Sequence, residues 1–212
     1  MHVAELWRYP VKSMAGERLE RAELTSDGIP GDRLVQVRGE RGVLTARTRP
    51  RLLGLHATLG EDGQARVDGR PWADPASQAA VQAAAGPDAR LVADASAGRF
   101  DVLPLLVATD GAIAALGEDG RRLRPNLVIG GVEGLAERGW EGRRLRIGAA
   151  VVWLDSLRAR CIMTTFDPDT QAQDVEVLRR IRREFGGELA LNAAVVAGGP
   201  VAVGDRVTVD GA

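Results

Sequence analysis

The sequence predicts a β-rich α+β fold, a C-terminal barrel preceded by a smaller strand-rich subdomain. Three observations predict it. Short runs of alternating apolar and polar residues recur from one end of the chain to the other. Turns rich in glycine and proline separate them. Few stretches carry the 3.6-residue repeat of an amphipathic helix. Many short strands with few helices form barrels or sandwiches rather than bundles.

The elements follow in order. Residues 3–9 read as a strand, and Pro10-Val11-Lys12-Ser13 leaves it. Residues 17–25 alternate as a second strand. Residues 26–33 are a turn-rich loop, Ser26-Asp27-Gly28-Ile29-Pro30-Gly31-Asp32-Arg33. A hairpin is expected over 34–38 and 42–45, stopped by Pro50, and a second over 52–59 and 64–67. Residues 74–85 are alanine-rich and helical, starting near Asp74-Pro75. A short strand over 90–93 and a small, polar loop over 95–99 follow. Residues 103–108 are apolar, and Thr109-Asp110-Gly111 caps a helix over 112–116. Strands are expected at 127–129 and twice within 145–154, with a break at Gly148. An amphipathic helix spans 173–183 with a basic tail suited to a helix C-terminus, and Gly186-Gly187 ends it. Late strands cover 190–196 and 206–209. The best seam lies at 74–95, which divides the chain into a subdomain of residues 1–95 and a barrel of residues 96–212.

Composition excludes several classes. The chain has 212 residues, enough for a full core, and a net charge of −1. No strong field points to nucleic acid or to an anionic membrane. No apolar run is long enough to span a bilayer, and residues 1–7 lack a targeting pattern, so a cytoplasmic location is the default. The single cysteine, Cys161, excludes an intrachain disulfide and a cysteine-only zinc site. No glycine-rich nucleotide loop is present. His2 and His56 have neither metal spacing nor a triad partner, and His56 lies in a strand pattern that reads as structural. Asp167-Pro168-Asp169 reads as a turn, and Arg179–Arg183 as a solvated or partner-facing helix surface.

The chemistry concentrates elsewhere. A thiol is the most nucleophilic side chain available and ligates soft or high-valent metals. Arg158 and Arg160 precede Cys161, and a strand ends just before it. A lone cysteine is ordinarily a small buried apolar residue, so its neighbours must decide. Of the 28 basic residues only Lys12 is lysine, which suggests a place where a planar guanidinium does not fit. Lys12 and Ser13 leave the first strand, Arg33 ends a glycine loop, Arg47 ends a hairpin, and Arg124 and Asn126 precede a strand. If a barrel gathers these strand ends, they form a cationic pocket around one thiol. Such a pocket suits a phosphate or polar heterocycle together with a metal.

These residues resemble the MOSC family, named after the C-terminal domain of molybdenum-cofactor sulfurase. The N-terminal match is Tyr9-Pro10-Val11-Lys12-Ser13, Gly31-Asp32-Arg33, Leu44-Thr45-Ala46-Arg47 and Pro50-Arg51-Leu52. The C-terminal match is Leu123-Arg124-Pro125-Asn126-Leu127-Val128-Ile129, Trp140, Ile147-Gly148, Arg160-Cys161-Ile162-Met163-Thr164-Thr165, Asp167-Pro168-Asp169-Thr170 and Val203-Gly204-Asp205. The resemblance runs through nearly the whole chain and is strongest to the amidoxime-reducing branch.

The resemblance implies a MOSC β-barrel and a molybdenum–pterin cofactor with Cys161 as the metal ligand. It implies cofactor contacts from Lys12, Ser13, Arg33 and Arg124. Arg47, Asn126 and Arg160 stand beside them, and Asp101 matches an aspartate near the metal, a candidate catalytic group. The implied activity is reduction of N-hydroxylated small molecules. With no further cysteine for an iron–sulfur cluster, electrons would come from a separate flavin or iron–sulfur protein. Pyridoxal phosphate binding is a further expectation attached to the family. The alternative is a module that carries the cofactor or persulfide sulfur on Cys161. The chain departs from the family's pattern in places. Val102 and Leu103 follow Asp101 where relatives carry hydroxyl residues. Ala159 stands where serine can occur, Gln171 replaces a glycine, and the stretch from 71 to 100 is short.

Overall fold

The computed structural model describes residues 1–93 and 99–210. The loop expected over 95–99 and the boundary at 95/96 fall on or against residues outside that description.

The main body is an eight-stranded mixed sheet in the order β16-β12-β13-β14-β10-β11-β1-β2. Its strands are β1 (His2–Arg8), β2 (Glu17–Leu19), β10 (Leu105–Thr109), β11 (Leu127–Gly130), β12 (Arg144–Ile147), β13 (Ala150–Ala159), β14 (Glu188–Ala197) and β16 (Val207–Val209). Only β10 and β11 run parallel within it. The sheet curls until its ends meet. The Val3 N–H donates to Asp205 O at 2.9 Å, and the Val207 N–H to Met1 O at 3.0 Å. β1 therefore bonds β11 through one edge and the approach to β16 through the other. Closure of this kind satisfies strand edges that would otherwise be open. Val3, Leu6, Val107, Ile129, Leu145, Val152, Leu191 and Val207 fill the interior.

A second core lies under three smaller elements. Strands β4 (Val35–Gly39), β5 (Gly42–Leu44) and β9 (Arg90–Ala93) form one sheet. Strands β6 (Ala57–Leu59), β7 (Ala65–Val67) and β8 (Arg70–Pro71) form another. Helix α1 (Pro75–Ala85) covers them with Val81 and Ala85. Asp74 caps α1 by accepting from the Ala76 N–H. Helices α2 (Asp110–Leu116) and α3 (Val175–Phe185) pack outside the barrel. Thr109 caps α2 as the sequence suggests. Val177, Leu178, Ile181 and Phe185 form the buried stripe of α3, while Val175, its first residue, is exposed.

The structure differs from the sequence expectations at several points. Residues 17–25 form two strands, not one. β2 pairs with β1, whereas β3 (Arg21–Leu24) pairs with β15 (Gly199–Ala202). The chain changes sheets at Glu20. Residues 50–54 are a 3-10 helix rather than a strand. Pro50 pre-sets the helical φ at its first turn, and Leu52 and Leu53 turn inward. β13 continues to Ala159, beyond the expected end at Leu154, because it pairs with β14 along its length. β15 was not foreseen.

α2 approaches the loop after β11 closely at Gly111. A Cβ there would stand 2.4 Å from both the Val132 and Gly134 carbonyl oxygens. These are backbone atoms that a rotamer change cannot move. Gly111→Ala is expected to destabilise the fold by about 1–3 kcal/mol, read as a lower urea midpoint. An unchanged midpoint would show that the loop yields.

Candidate active site

A cavity of about 120 Å³ opens where the barrel meets the second core. It is lined by Lys12, Ser13, Arg33, Arg47, Asp101, Arg124, Asn126, Arg160 and Cys161, all nine candidates from the sequence. They come from six separate segments, so their meeting is a property of the fold.

The first segment leaves β1. The Lys12 N–H donates to Val35 O at 2.8 Å, which fixes Lys12 and Ser13 beside β4. Ser13 takes φ 72, and Arg33 and Arg124 take φ 54 and 58. Left-handed backbone costs a non-glycine residue about 1–2 kcal/mol. Three such residues around one cavity mark a place where geometry is held against local preference. A buried polar network holds it. Asp32 Oδ1 accepts from the Tyr9 N–H at 2.7 Å, and Oδ2 accepts from Asn126 Nδ2 at 3.3 Å and from Arg33. Asn126 Oδ1 accepts from the Leu106 N–H at 3.1 Å, and its Nδ2 also donates to Trp7 O. Asn126 lies at the cavity, but its amide is spent on positioning the strands that surround it.

Tyr9 lies against two cations. The Arg124 guanidinium stands 4.3 Å from its ring centroid and that of Arg33 5.2 Å. The Tyr9 hydroxyl donates to Pro125 O at 3.0 Å. Burial pushes the Tyr9 phenol well above its ordinary value, against the pull of both arginines, so Tyr9 stays neutral. Burial pulls Arg124 down to about 10, and Arg160 likewise. Both remain charged at neutral pH. Arg160 donates to Leu123 O at 2.7 Å, yet its buried Nε has no hydrogen-bond partner among the described residues.

Six arginines and Lys12 line the cavity against one carboxylate among the described residues, Asp101. Asp101 Oδ1 lies 2.9 Å from Lys12 Nζ, and Oδ2 lies 2.6 Å from Arg47 and 3.2 Å from Arg158. Burial alone would raise its pKa. The Lys12 hydrogen bond and the three positive charges outweigh that and hold it at about 2. Arg47 is raised chiefly by its hydrogen bond to the Cys161 side chain. Arg47 thus joins the carboxylate to the thiol. Cys161 is half-buried, just past β13, and its carbonyl accepts from the Thr164 N–H and hydroxyl.

Arg158, noted in the sequence only as a neighbour of Cys161, lines the cavity, as do Arg122 and Asn192, which were not candidates. Arg158 donates to Asn192 Oδ1 at 3.1 Å, and Asn192 Nδ2 donates to Ser156 at 3.2 Å. The missed signal was strand length. Carrying β13 to Ala159 brings Arg158 to the cavity on the strand and Arg160 just past its end, and Asn192 is a polar residue in the apolar interior of β14. Asp167-Pro168-Asp169 is a turn, with Asp167 accepting from the Asp169 and Thr170 N–H groups. Of the helix α3 arginines, Arg179, Arg180 and Arg183 pair with acids, Arg180 with Glu118 at 2.8 Å. His56 is exposed and lies outside this cavity.

No cluster of three His, Cys, Asp or Glu side chains among the described residues could cage a metal ion. Many cations, one thiol and an orphaned buried Nε instead suit an anionic ligand that brings its own metal.

Residues 1–99 match the model of the MOSC N-terminal beta barrel domain, and residues 110–208 match that of the MOSC domain. The chain belongs to the MOSC family. This MOSC protein is 25% identical to mitochondrial amidoxime-reducing component 1 of Homo sapiens, over 85% of this chain and 72% of that one. It is 28% identical to mitochondrial amidoxime reducing component 2 of Macaca fascicularis, over 81% and 68%. Among solved structures, the YUAD protein from Bacillus subtilis shares the fold, with TM-score 0.50 and 14% identity, over 98% of this chain and 94% of that one. Those relatives are named mitochondrial, which gives the cytoplasmic expectation no support. No helix among the described residues is long and apolar enough to cross a membrane. Pyridoxal phosphate binding gains no support from either comparison. The departures from the MOSC pattern have physical readings. Val102, Leu103 and Ala159 line the cavity, so aliphatic groups stand where hydroxyl donors would. Gln171 sits at φ 57, a conformation that glycine adopts without strain.

Asp101 yields a pH signature. Its folded pKa lies below its unfolded value, so its stabilising effect is complete above about pH 4 and is lost as pH falls toward 2. Asp101→Asn leaves three cations facing one another and is expected to cost about 1–3 kcal/mol at pH 7. The gap between the two proteins, measured by urea unfolding, should close between about pH 4 and pH 2. A gap that stays constant with pH would show that the carboxylate charge is irrelevant.

Proposed function

We propose that this MOSC protein is a molybdenum-cofactor-dependent reductase of N-hydroxylated compounds that takes electrons from a separate donor protein. The observation that carries this reading is the convergence of Cys161 with Lys12 and six arginines in one cavity around a single carboxylate. The names of the relatives support the substrate class. The donor set fits the cofactor. Cys161 supplies one soft ligand, and Lys12, Ser13, Arg33, Arg124 and Arg160 supply cations and donors for an anionic, polar heterocycle. When bound, that group supplies the two-electron reduction of an N–O bond.

The chain's own residues do the rest. Lys12, Arg33 and Arg124 bind negative charge in a partly dehydrated setting, where each contact is stronger than in water. Arg160 offers its unsatisfied Nε. Asn126 and Asp32 fix the segments that carry these groups. Asp101 is ionised at neutral pH, so it accepts a proton-bearing group of the substrate and does not act as an acid. Arg47 orients both Asp101 and the Cys161 side chain.

Cys161→Ala, expressed with the cofactor available, is expected to lose molybdenum and keep its fold, read by metal analysis and circular dichroism. Full molybdenum content in that variant would remove the ligand role. The function itself is tested with purified, cofactor-loaded protein and a chemical electron donor. It is expected to consume benzamidoxime. Protein that carries molybdenum but reduces no member of a panel of N-hydroxylated compounds overturns the reductase reading, and a persulfide on Cys161 by mass spectrometry would then favour the carrier role.

A further inference from the structure

A second cavity of about 140 Å³ lies against the first. Trp7, Tyr9, His56, Phe166, Leu53 and Met163 line it. Few aromatic residues exist in this chain, 4% of the total, and three of them meet here. Arg122, Arg124 and Met163 line both cavities, so the two spaces are one side chain apart, and Met163 is two residues from Cys161.

Two of the three guanidinium groups at this cavity are paired with carboxylates. Arg121 forms a bidentate pair with Asp169 at 2.7 and 2.8 Å and also bonds Asp119. Arg122 pairs with Glu118 at 3.2 Å and Asp167 at 3.3 Å. Arg124 lies over the Tyr9 ring. Neutralised guanidinium planes and aromatic faces favour a neutral planar ring, which gains area and offset stacking without leaving a charge unpaired. A cation would meet three guanidinium groups.

We infer that this cavity seats the neutral aromatic ring of the substrate while its N-hydroxylated head reaches past Met163 to the thiol cavity. The inference rests on the reductase reading and narrows it to aromatic N-hydroxylated compounds in preference to aliphatic ones.

Two variants narrow the cavity without touching the cationic pocket. Ala15 lines it, and its backbone is tied on both sides, N–H to Leu55 O and carbonyl to the Ala57 N–H, each at 2.9 Å. Ala15→Phe projects a ring into the space, and His56→Trp does so from an exposed position that the fold tolerates. In cofactor-free protein, titration with benzamidoxime is expected to shift the Trp7 indole and His56 imidazole NMR signals, and to shift the Trp7 signal far less in Ala15→Phe. Unmoved Trp7 and His56 signals overturn the inference. So does loss of this binding on cofactor loading, which would give the cavity to the cofactor. In the loaded protein both variants are expected to raise KM for benzamidoxime about tenfold or more and to leave acetamidoxime unaffected. Equal losses for both compounds would also overturn it. Absence of turnover for every compound would sink the reductase reading alone, and the NMR titration would still decide the cavity.

Discussion

The structure depends on a buried cross-link between Asp32 and Asn126. Asp32 holds the Tyr9 N–H, Arg33 and the Asn126 amide, and Asn126 holds the backbone of Trp7 and Leu106. Through two side chains, β1, the glycine loop, β10 and the start of β11 share one set of hydrogen bonds. Both side chains are almost wholly removed from water. A buried polar group left unpaired is expensive, so such a network is either complete or damaging. Here each side-chain oxygen and the Asn126 amide nitrogen find partners. The strand ends that carry Lys12, Arg33 and Arg124 are thereby fixed before any ligand arrives.

That rigidity answers an electrostatic problem. Like charges within a few ångströms of one another repel, and burial of Arg124 and Arg160 lowers their pKa values. The fold sets Asp101 against Lys12, Arg47 and Arg158, Asp32 against Arg33, and Glu118 and Asp167 against Arg122. The Tyr9 ring lies against Arg33 and Arg124. Cation–π contact stabilises a guanidinium without contributing an opposing charge. Arg124 and Arg160, which have no carboxylate pair among the described residues, therefore keep their positive charge for a ligand.

The local parts of this design were legible in the sequence. Asp74 and Thr109 announce their helices because a cap is a contact over two or three residues. Gly186 ends α3 in left-handed backbone for the same local reason. The change of sheet at Glu20 was not legible, since both halves of 17–24 alternate alike and only their partners differ. Arg158 and Asn192 acquire meaning from the register of β13 on β14, which no short window contains. The cationic candidates were recognisable as a set through family resemblance. Their pairing with Asp101, across gaps of 54 and 57 residues to Arg47 and Arg158, belongs to the fold alone.

The backbone carries the last part of the argument. Ser13, Arg33 and Arg124 hold left-handed conformations, and each is anchored by a hydrogen bond at or beside the strained residue. The Lys12 N–H reaches Val35 O, the Arg33 N–H reaches Tyr9 O, and the Arg124 N–H closes on Arg121 O at the end of a 3-10 turn. Glycine would relieve the strain at each point but would remove the hydroxyl or guanidinium that the cavity presents. The cost of about 1–2 kcal/mol per residue is thus tied to the side chains and not to the path of the chain. The neighbouring loop uses glycine at Gly28 and Gly31 for the same backbone region. Strain alone does not mark a site, because Asp68, Gln171 and Ala190 also hold positive φ away from this cavity; Ser13, Arg33 and Arg124 stand apart because all three line one cavity.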